Sequence, residues 1–285
     1  MAAPETRPEI PRPEILVVGR NSVLAGAFAA CAARPPCRFV SHGELDRPGV
    51  FDDIRTVVNF ALHPDTRGAP YDPAKDADLA VGRAAADRAL GFVLLSTRKV
   101  YDPAALADLE AGGAAEDAFL GPTDHYGANK LRTEEALRAL LGERLTVLRI
   151  ANIVGFDRVP GRAMFMNRML DTLSAQGCIR FDVSPFVRRD FLPDDDFARA
   201  LAAVLENGLT GTFNVGSGRA VEVGRLALWV MEGYGAGELR ITDPRHHDEF
   251  VLNVGRLQAA IGPLSPAGRL EELCRAVGRR LRSAE

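Results

Sequence analysis

A tyrosine and a lysine four residues apart, in Tyr126-Gly127-Ala128-Asn129-Lys130, open a stretch with helical periodicity and could carry acid–base chemistry. At that spacing the two side chains share one helix face, one turn apart. A phenol titrates near pH ~10 and is by itself a poor base at neutrality. An ammonium one turn away favours the phenolate, so the pair could exchange a proton with an alcohol or a ketone. The same spacing also occurs on solvated helix faces, so the setting has to decide. Here a strand-like run ending in Ser96-Thr97 precedes the pair, and a glycine-bearing strand-to-helix turn stands at residues 19–26.

Such groups need a rigid frame, and the first half of the chain has the pattern of one. Apolar runs at 15–18, 38–40, 56–61, 92–96 and 145–150 read as strands, separated by helical stretches at 23–33, 73–90 and 126–141. The runs are continuous rather than alternating, as a parallel sheet covered on both faces requires. The expectation is an α/β fold, a Rossmann-type doubly wound parallel sheet over residues 14–152. Beyond Asn152 helices are expected at 163–176, 194–206, 223–234 and 269–281, with a short strand at 212–215. Residues 153–285 read mostly as a smaller C-terminal substrate-binding lobe, with some segments returning to the sheet domain. Residues 1–13, rich in proline and charge without an apolar centre, read as a disordered tail and not as a secretory signal.

Composition narrows the partners. The 285 residues are 47% hydrophobic and 26% charged, which suits one large domain with a lobe. A net charge of −3 argues against nucleic acid or an anionic membrane as partner, and no apolar run is long enough to span a bilayer. Cys31, Cys37, Cys178 and Cys274 lack metal-ligand spacing, and of the five histidines only His246-His247 are adjacent. No metal site and a reducing, cytoplasmic setting are therefore expected.

The turn Gly19-Arg20-Asn21-Ser22-Val23-Leu24-Ala25-Gly26 follows the first strand, where a dinucleotide pyrophosphate would approach a helix N-terminus. Ser22 and Ala25 replace the usual second and third glycines. Gly19, Arg20, Asn21, Ser22, Val23 and Leu24 are cofactor candidates, with Ser41 at the end of the second strand. That strand ends Val40-Ser41-His42 with no carboxylate until Glu44, whereas NAD binding normally uses an acidic residue there. Arg20 could instead pair with a 2′-phosphate, which tilts the choice between NADP and NAD towards NADP.

With these pieces in order, the chain resembles the extended short-chain dehydrogenase/reductase family of nucleotide-sugar epimerases, dehydratases and ketoreductases. Five runs carry the resemblance in family order: Leu94–Tyr101, Tyr126–Glu134, Arg149–Gly155, Arg189–Asp196 and Gly211–Gly218. The resemblance implies that Thr97 hydrogen-bonds the substrate oxygen and that Tyr126 is the general acid/base. Lys130 would hold the nicotinamide ribose and lower the tyrosine pKa, while Asn59 and Ala61 would line the cofactor. Asn152 and Arg189 would contact the nucleotide-sugar, and Arg245 with Asp248 would grip its pyrophosphate and ribose. A plainer role for Arg189 is an ion pair within the run Arg188-Arg189-Asp190. A homodimer built on the Tyr126 helix and its neighbour is a further family expectation.

Departures from the family pattern narrow the activity. Dehydratases carry Asp-Glu directly after the catalytic threonine, whereas this chain has Arg98-Lys99, so no carboxylate is placed to take the C5 proton of a sugar. These cations would bind an acidic group of the substrate or, as the favoured expectation, face solvent. What remains is a 4-ketoreductase of deoxysugar type, for which the missing carboxylate after the second strand and the short lobe both speak. The alternatives are an epimerase that retains its NAD and a non-catalytic NADP-binding regulator, the latter invited by the degenerate glycine turn.

Overall fold

The computed structural model describes residues 14–156 and 165–284. The expected tail and the first two residues of the helix expected at 163–176 lie outside that range. Six strands form one parallel sheet: β1 (Ile15–Val18), β2 (Cys37–Val40), β3 (Thr56–Asn59), β4 (Gly91–Thr97), β5 (Leu145–Ile150) and, from late in the chain, β9 (Gly211–Val215). Their spatial order is β2-β1-β3-β4-β5-β9. The chain winds to one side of β1 and then to the other, so the crevice of this doubly wound sheet opens between the carboxyl ends of β1 and β3.

Alternation along each strand explains the two layers of helices. Ile15 and Val17 point into a core with Phe28 of α1 (Val23–Ala30) and Phe197 and Leu201 of α6 (Asp194–Glu206). Leu16 and Val18 point the other way, to Leu79 and Val81 of α2 (Ala77–Ala86) and Leu137 and Leu141 of α4 (His125–Leu141). Side chains of period two on a sheet clad on both sides must all be apolar, which is why the runs read as continuous.

Boundaries moved where local chemistry overrode periodicity. Helix α1 stops at Ala30, short of 33, because Arg34-Pro35-Pro36 cannot continue it. Helix α2 starts only at Ala77, where the Asp76 carboxylate accepts the Leu79 amide at 3.0 Å. Strand β3 ends at Asn59 rather than 61 because the Asn59 side chain takes over: its Oδ1 accepts the Ala61 amide and its Nδ2 donates to the Ala61 carbonyl, both at 3.0 Å. The short helix α3 (Pro103–Ala107) was not expected.

The remaining segments make a second core. Strands β6 (Asn152–Val154), β8 (Arg188–Pro193) and β10 (Ala220–Glu222) form a three-stranded sheet, and β7 (Cys178–Phe181) pairs in parallel with β11 (Glu238–Ile241). Helices α5 (Phe165–Gln176), α7 (Val223–Tyr234) and α9 (Arg269–Ser283) pack on them through Met169, Leu170, Leu226, Val230, Cys274 and Val277. Helix α8 (Gly255–Ile261) returns to β9. Short strands beside loops escaped periodicity because three or four residues carry too few repeats to register. Among the described residues no helix is long and apolar enough to cross a membrane.

Candidate active site

Strand β4 delivers Thr97 at its last position, and the chain then makes a single 3-10 turn over Arg98–Val100. The Thr97 hydroxyl oxygen accepts the Lys99 amide at 3.3 Å, which orients its own proton outward. Helix α4 starts immediately against that turn. Asp124 caps it, accepting the Gly127 amide at 2.8 Å, and also pairs with Lys99. The contact is so close that a Cβ on Gly127 would lie 2.2 Å from the Lys99 carbonyl oxygen. Glycine after Tyr126 is thus the condition for the start of α4 to lie against the turn that follows Thr97.

Lys130 is 4% exposed and its ammonium has more partners than the sequence suggested. Nζ donates to Asp78 Oδ2 at 2.7 Å and to the Leu95 carbonyl at 2.8 Å. Asn59 Nδ2 donates to the other oxygen of Asp78 at 2.7 Å. Burial works against the ammonium, but the Asp78 carboxylate and the neighbouring Tyr126 phenol more than offset it, and the Lys130 pKa is raised. An ammonium has three donors, and the third has no partner among the described residues. Asp78 escaped the sequence reading because a carboxylate on the second helix has no motif. The family resemblance gives Lys130 two tasks, holding the nicotinamide ribose and favouring the phenolate, and foresees no counter-ion for it. Asp78 pairs with that ammonium at 2.7 Å, and a second cation, Arg67, lies over the Tyr126 ring at 5.1 Å.

The family-like residues around this trio hold the strand ends together. Arg149 pairs with the fully buried Glu134 at 2.8 Å, and Ser96 also donates to Glu134. Tyr101 donates to Asn214 at 2.7 Å, and Asn214 reaches the carbonyls of Ala114 and Asn253 at 2.9 Å. These buried groups are satisfied by one another, so their work is scaffolding.

At the other side of the crevice, Gly19 has φ +91°, and a Cβ there would meet the Ala61 amide nitrogen at 2.6 Å. Only glycine fits between β1 and the turn after β3. Ser22 occupies the N-cap of α1 without a side-chain cap, and no acidic residue lies in the first turn of Val23, Leu24 and Ala25. Helix geometry leaves these amides without intrahelical acceptors, aimed at the place a pyrophosphate would occupy. The residues present fit a dinucleotide. Asn59 serves this end indirectly, holding Ala61 and Asp78 rather than lining the crevice with its own amide.

Three sequence expectations need correction. First, a carboxylate does stand at the end of β2. Glu44 folds back in a capping box, accepting the Ser41 amide at 2.8 Å and hydroxyl at 2.7 Å, and pairs with Arg20 at 3.0 Å. Those hydrogen bonds from Ser41, helped by Arg47 and Arg20, lower the Glu44 pKa to about 2. Second, Arg98 does not face solvent: its side chain is 6% exposed, stacks over Phe250 at 3.5 Å and donates to both Asp248 oxygens at 2.8 and 2.9 Å. Lys99 is the half-exposed one. Third, Arg245 and Asp248 do not converge. Arg245 is 79% exposed and pairs with Asp243 at 2.6 Å, while Asp248 pairs with Arg98 and, at 3.4 Å, with Arg189. Within the run 188–190 no internal ion pair forms: Arg188 goes to Glu249, and Asp190 accepts Ser217 through its amide and hydroxyl. Asn152 opens β6, opposite Phe191 and so two residues along from Arg189 on the neighbouring strand.

A doubly wound parallel sheet with a glycine turn at its switch point, and a Thr, Tyr and Lys gathered at the carboxyl end of β4, defines the class of Rossmann-type short-chain dehydrogenase/reductases. The sequence profile of the NAD dependent epimerase/dehydratase family matches residues 46–216, and the chain belongs to that family. A dTDP-L-rhamnose 4-epimerase of Burkholderia thailandensis is 32% identical over 169 residues, covering 50% of this chain and 46% of that protein. The chain thus spans about half the length of the curated relative it matches. Among solved structures, a UDP-glucuronic acid 4-epimerase from Bacillus cereus in complex with UDP-glucuronic acid and NAD superposes with TM-score 0.75 at 17% identity, over 95% of this chain and 99% of that one. RMD from Pseudomonas aeruginosa, complexed with NADPH, gives 0.74 at 21% identity over 95% and 100%. At such identities these likenesses speak for the fold.

Proposed function

We propose that this chain exchanges hydride between a nicotinamide cofactor and the C4 carbinol of a nucleotide-diphosphate sugar, with Thr97, Tyr126 and Lys130 as its catalytic residues. The bound cofactor would supply or accept the hydride. Thr97 Oγ1, already accepting from Lys99, keeps its proton and donates a hydrogen bond to the substrate oxygen. Tyr126 Oη takes or returns the proton of that oxygen as the carbon changes oxidation state. Lys130, anchored by Asp78 and Leu95, offers its third N–H to a ribose hydroxyl. Substrate contacts are assigned to Asn152 and Arg189. A homodimer through α4 and its neighbour and a cytoplasmic location belong to the same reading.

The observation that selects within this class is the Glu44–Arg20 pair. A carboxylate ionised at neutral pH beside the β2 end repels a 2′-phosphate and can accept a ribose hydroxyl, which supports NAD over NADP and reverses the tilt drawn from Arg20 alone. Replacing Glu44 by Gln is expected to improve NADPH affinity relative to NADH by about tenfold, and Arg20→Ala in that background to abolish the gain. Fluorescence titration of both cofactors checks this; an unchanged ratio in Glu44→Gln would remove Glu44 as selector.

With that carboxylate restored, one support of the 4-ketoreductase reading falls away, and a 4-epimerase takes first place, in line with the activity of the Burkholderia relative. An epimerase returns the hydride to the same sugar and keeps its cofactor; a ketoreductase must release it each cycle. Purified protein is expected to carry NAD that survives dialysis and to interconvert a nucleotide-sugar with no net change at 340 nm. Stoichiometric NADH or NADPH consumption with a 4-keto sugar would instead establish the ketoreductase.

A further inference from the structure

One group of buried charges is unbalanced. Arg98, directly after Thr97, and Arg189 of β8 have side chains 6% and 10% exposed, and both converge on the single carboxylate of Asp248. Asp124 near Arg98 already pairs with Lys99, and Asp182 near Arg189 is solvent-exposed. Two desolvated guanidiniums therefore share one anion. Arg98 uses only Nη2 in its hydrogen bonds, leaving Nε and Nη1 without partners among the described residues. Neither nitrogen is among the sealed side-chain atoms of the described residues, so both stay open to an incoming acceptor.

The carboxylate that covers them is differently placed. Asp248 is 40% exposed, sits at the end of an irregular stretch between β11 and Glu249, and has φ +58°, a left-handed conformation uncommon outside glycine. Arg189 holds that backbone by donating through Nε to the Asp248 carbonyl at 2.9 Å. Thus the cationic half of the cluster is built into β8 and the β4 turn, while the anionic half hangs on a surface loop.

We propose that Arg98 and Arg189 form an anion subsite of the substrate cleft, and that Asp248 fills it as a surrogate until an anionic oxygen group of the substrate exchanges with it. The planar guanidiniums and unused donors suit a sugar carboxylate or the diphosphate equally. On exchange the loop carboxylate moves to solvent, and the incoming anion takes its place against Arg98 and Arg189. The assignment rests on the nucleotide-sugar reading above and adds to it a requirement for charge beside Thr97.

Calorimetric titration of the full chain with UDP-glucuronate, UDP-glucose and free pyrophosphate tests this. Arg98→Gln is expected to weaken the anion-bearing ligand by tenfold or more, and Asp248→Asn to tighten it by threefold or more because its competitor is gone. Asp248→Gly, which suits the positive φ, should tighten it likewise and guards against misfolding of the first variant. Loss confined to UDP-glucuronate identifies the sugar carboxylate; equal loss for all three identifies the diphosphate. If both Asp248 variants weaken binding or leave it unchanged, Asp248 is structural and the exchange is wrong. If Arg98→Gln leaves all three ligands unchanged, Arg98 is no part of an anion subsite. Pyrophosphate binding that responds to Arg98 and Asp248, with no affinity for either nucleotide-sugar, would sink the nucleotide-sugar reading and leave the subsite standing. No binding of any of the three overturns both.

Discussion

Tyr126→Phe is expected to lower turnover by about 10²–10⁴-fold while leaving cofactor affinity within about twofold. The change removes one hydroxyl from a half-buried ring at the start of α4 and leaves Gly127, the Asp124 cap and the Lys130 anchor untouched. Proton exchange with the substrate oxygen loses its partner, and Thr97 cannot replace it because a threonine hydroxyl does not ionise near neutrality. The loss should fall on kcat rather than on KM, since the phenol acts as the carbon changes oxidation state. Single-turnover kinetics with the bound cofactor, followed at 340 nm, separate the two. Turnover retained within tenfold of the wild type would remove Tyr126 as the acid/base.

Asp78→Ala is the second large effect, and it falls on stability as well as activity. The Lys130–Asp78 pair has both side chains 4% exposed, with 2.7 Å between Nζ and Oδ2. Removing one member of such a pair leaves an uncompensated buried charge and costs about 3–5 kcal/mol. For a chain of this size that corresponds to a fall in Tm of roughly 10 °C. The double variant Asp78→Leu with Lys130→Met is expected to recover most of the stability, because neither charge is then buried, yet to stay inactive. Denaturation in urea beside an activity assay makes the comparison. A single-variant loss under about 1 kcal/mol would show that Lys130 finds another counter-charge.

These two residues also mark how far the sequence could be read. Tyr126 and Lys130 announced themselves by spacing, and β5, α6 and α7 fell where apolar periodicity put them. Asp78 gave no signal: it lies 52 residues from Lys130, on a helix otherwise read as sheet cladding. Arg98 was visible as a departure from a family pattern, but its direction was not, because burial depends on Phe250 and Asp248, far along the chain. Glu44 lies past the end of β2 in sequence, beyond the position where a strand-end carboxylate is looked for. A 3-10 turn with a capping box brings it back onto Ser41, a fold of three residues that no strand-end rule anticipates.

The sequence by itself determined the sheet, its helical cladding, the glycine turn and the shared helix face of Tyr126 and Lys130, since each depends on periodicity or on residues a few places apart. Only the tertiary structure decided which charges face one another. Lys130 meets Asp78, Arg20 meets Glu44, and Arg98 with Arg189 meets Asp248. An electrostatic interaction depends on separation in space and on the exclusion of water, and for groups brought together across a sheet or a loop neither quantity is written in their order along the chain.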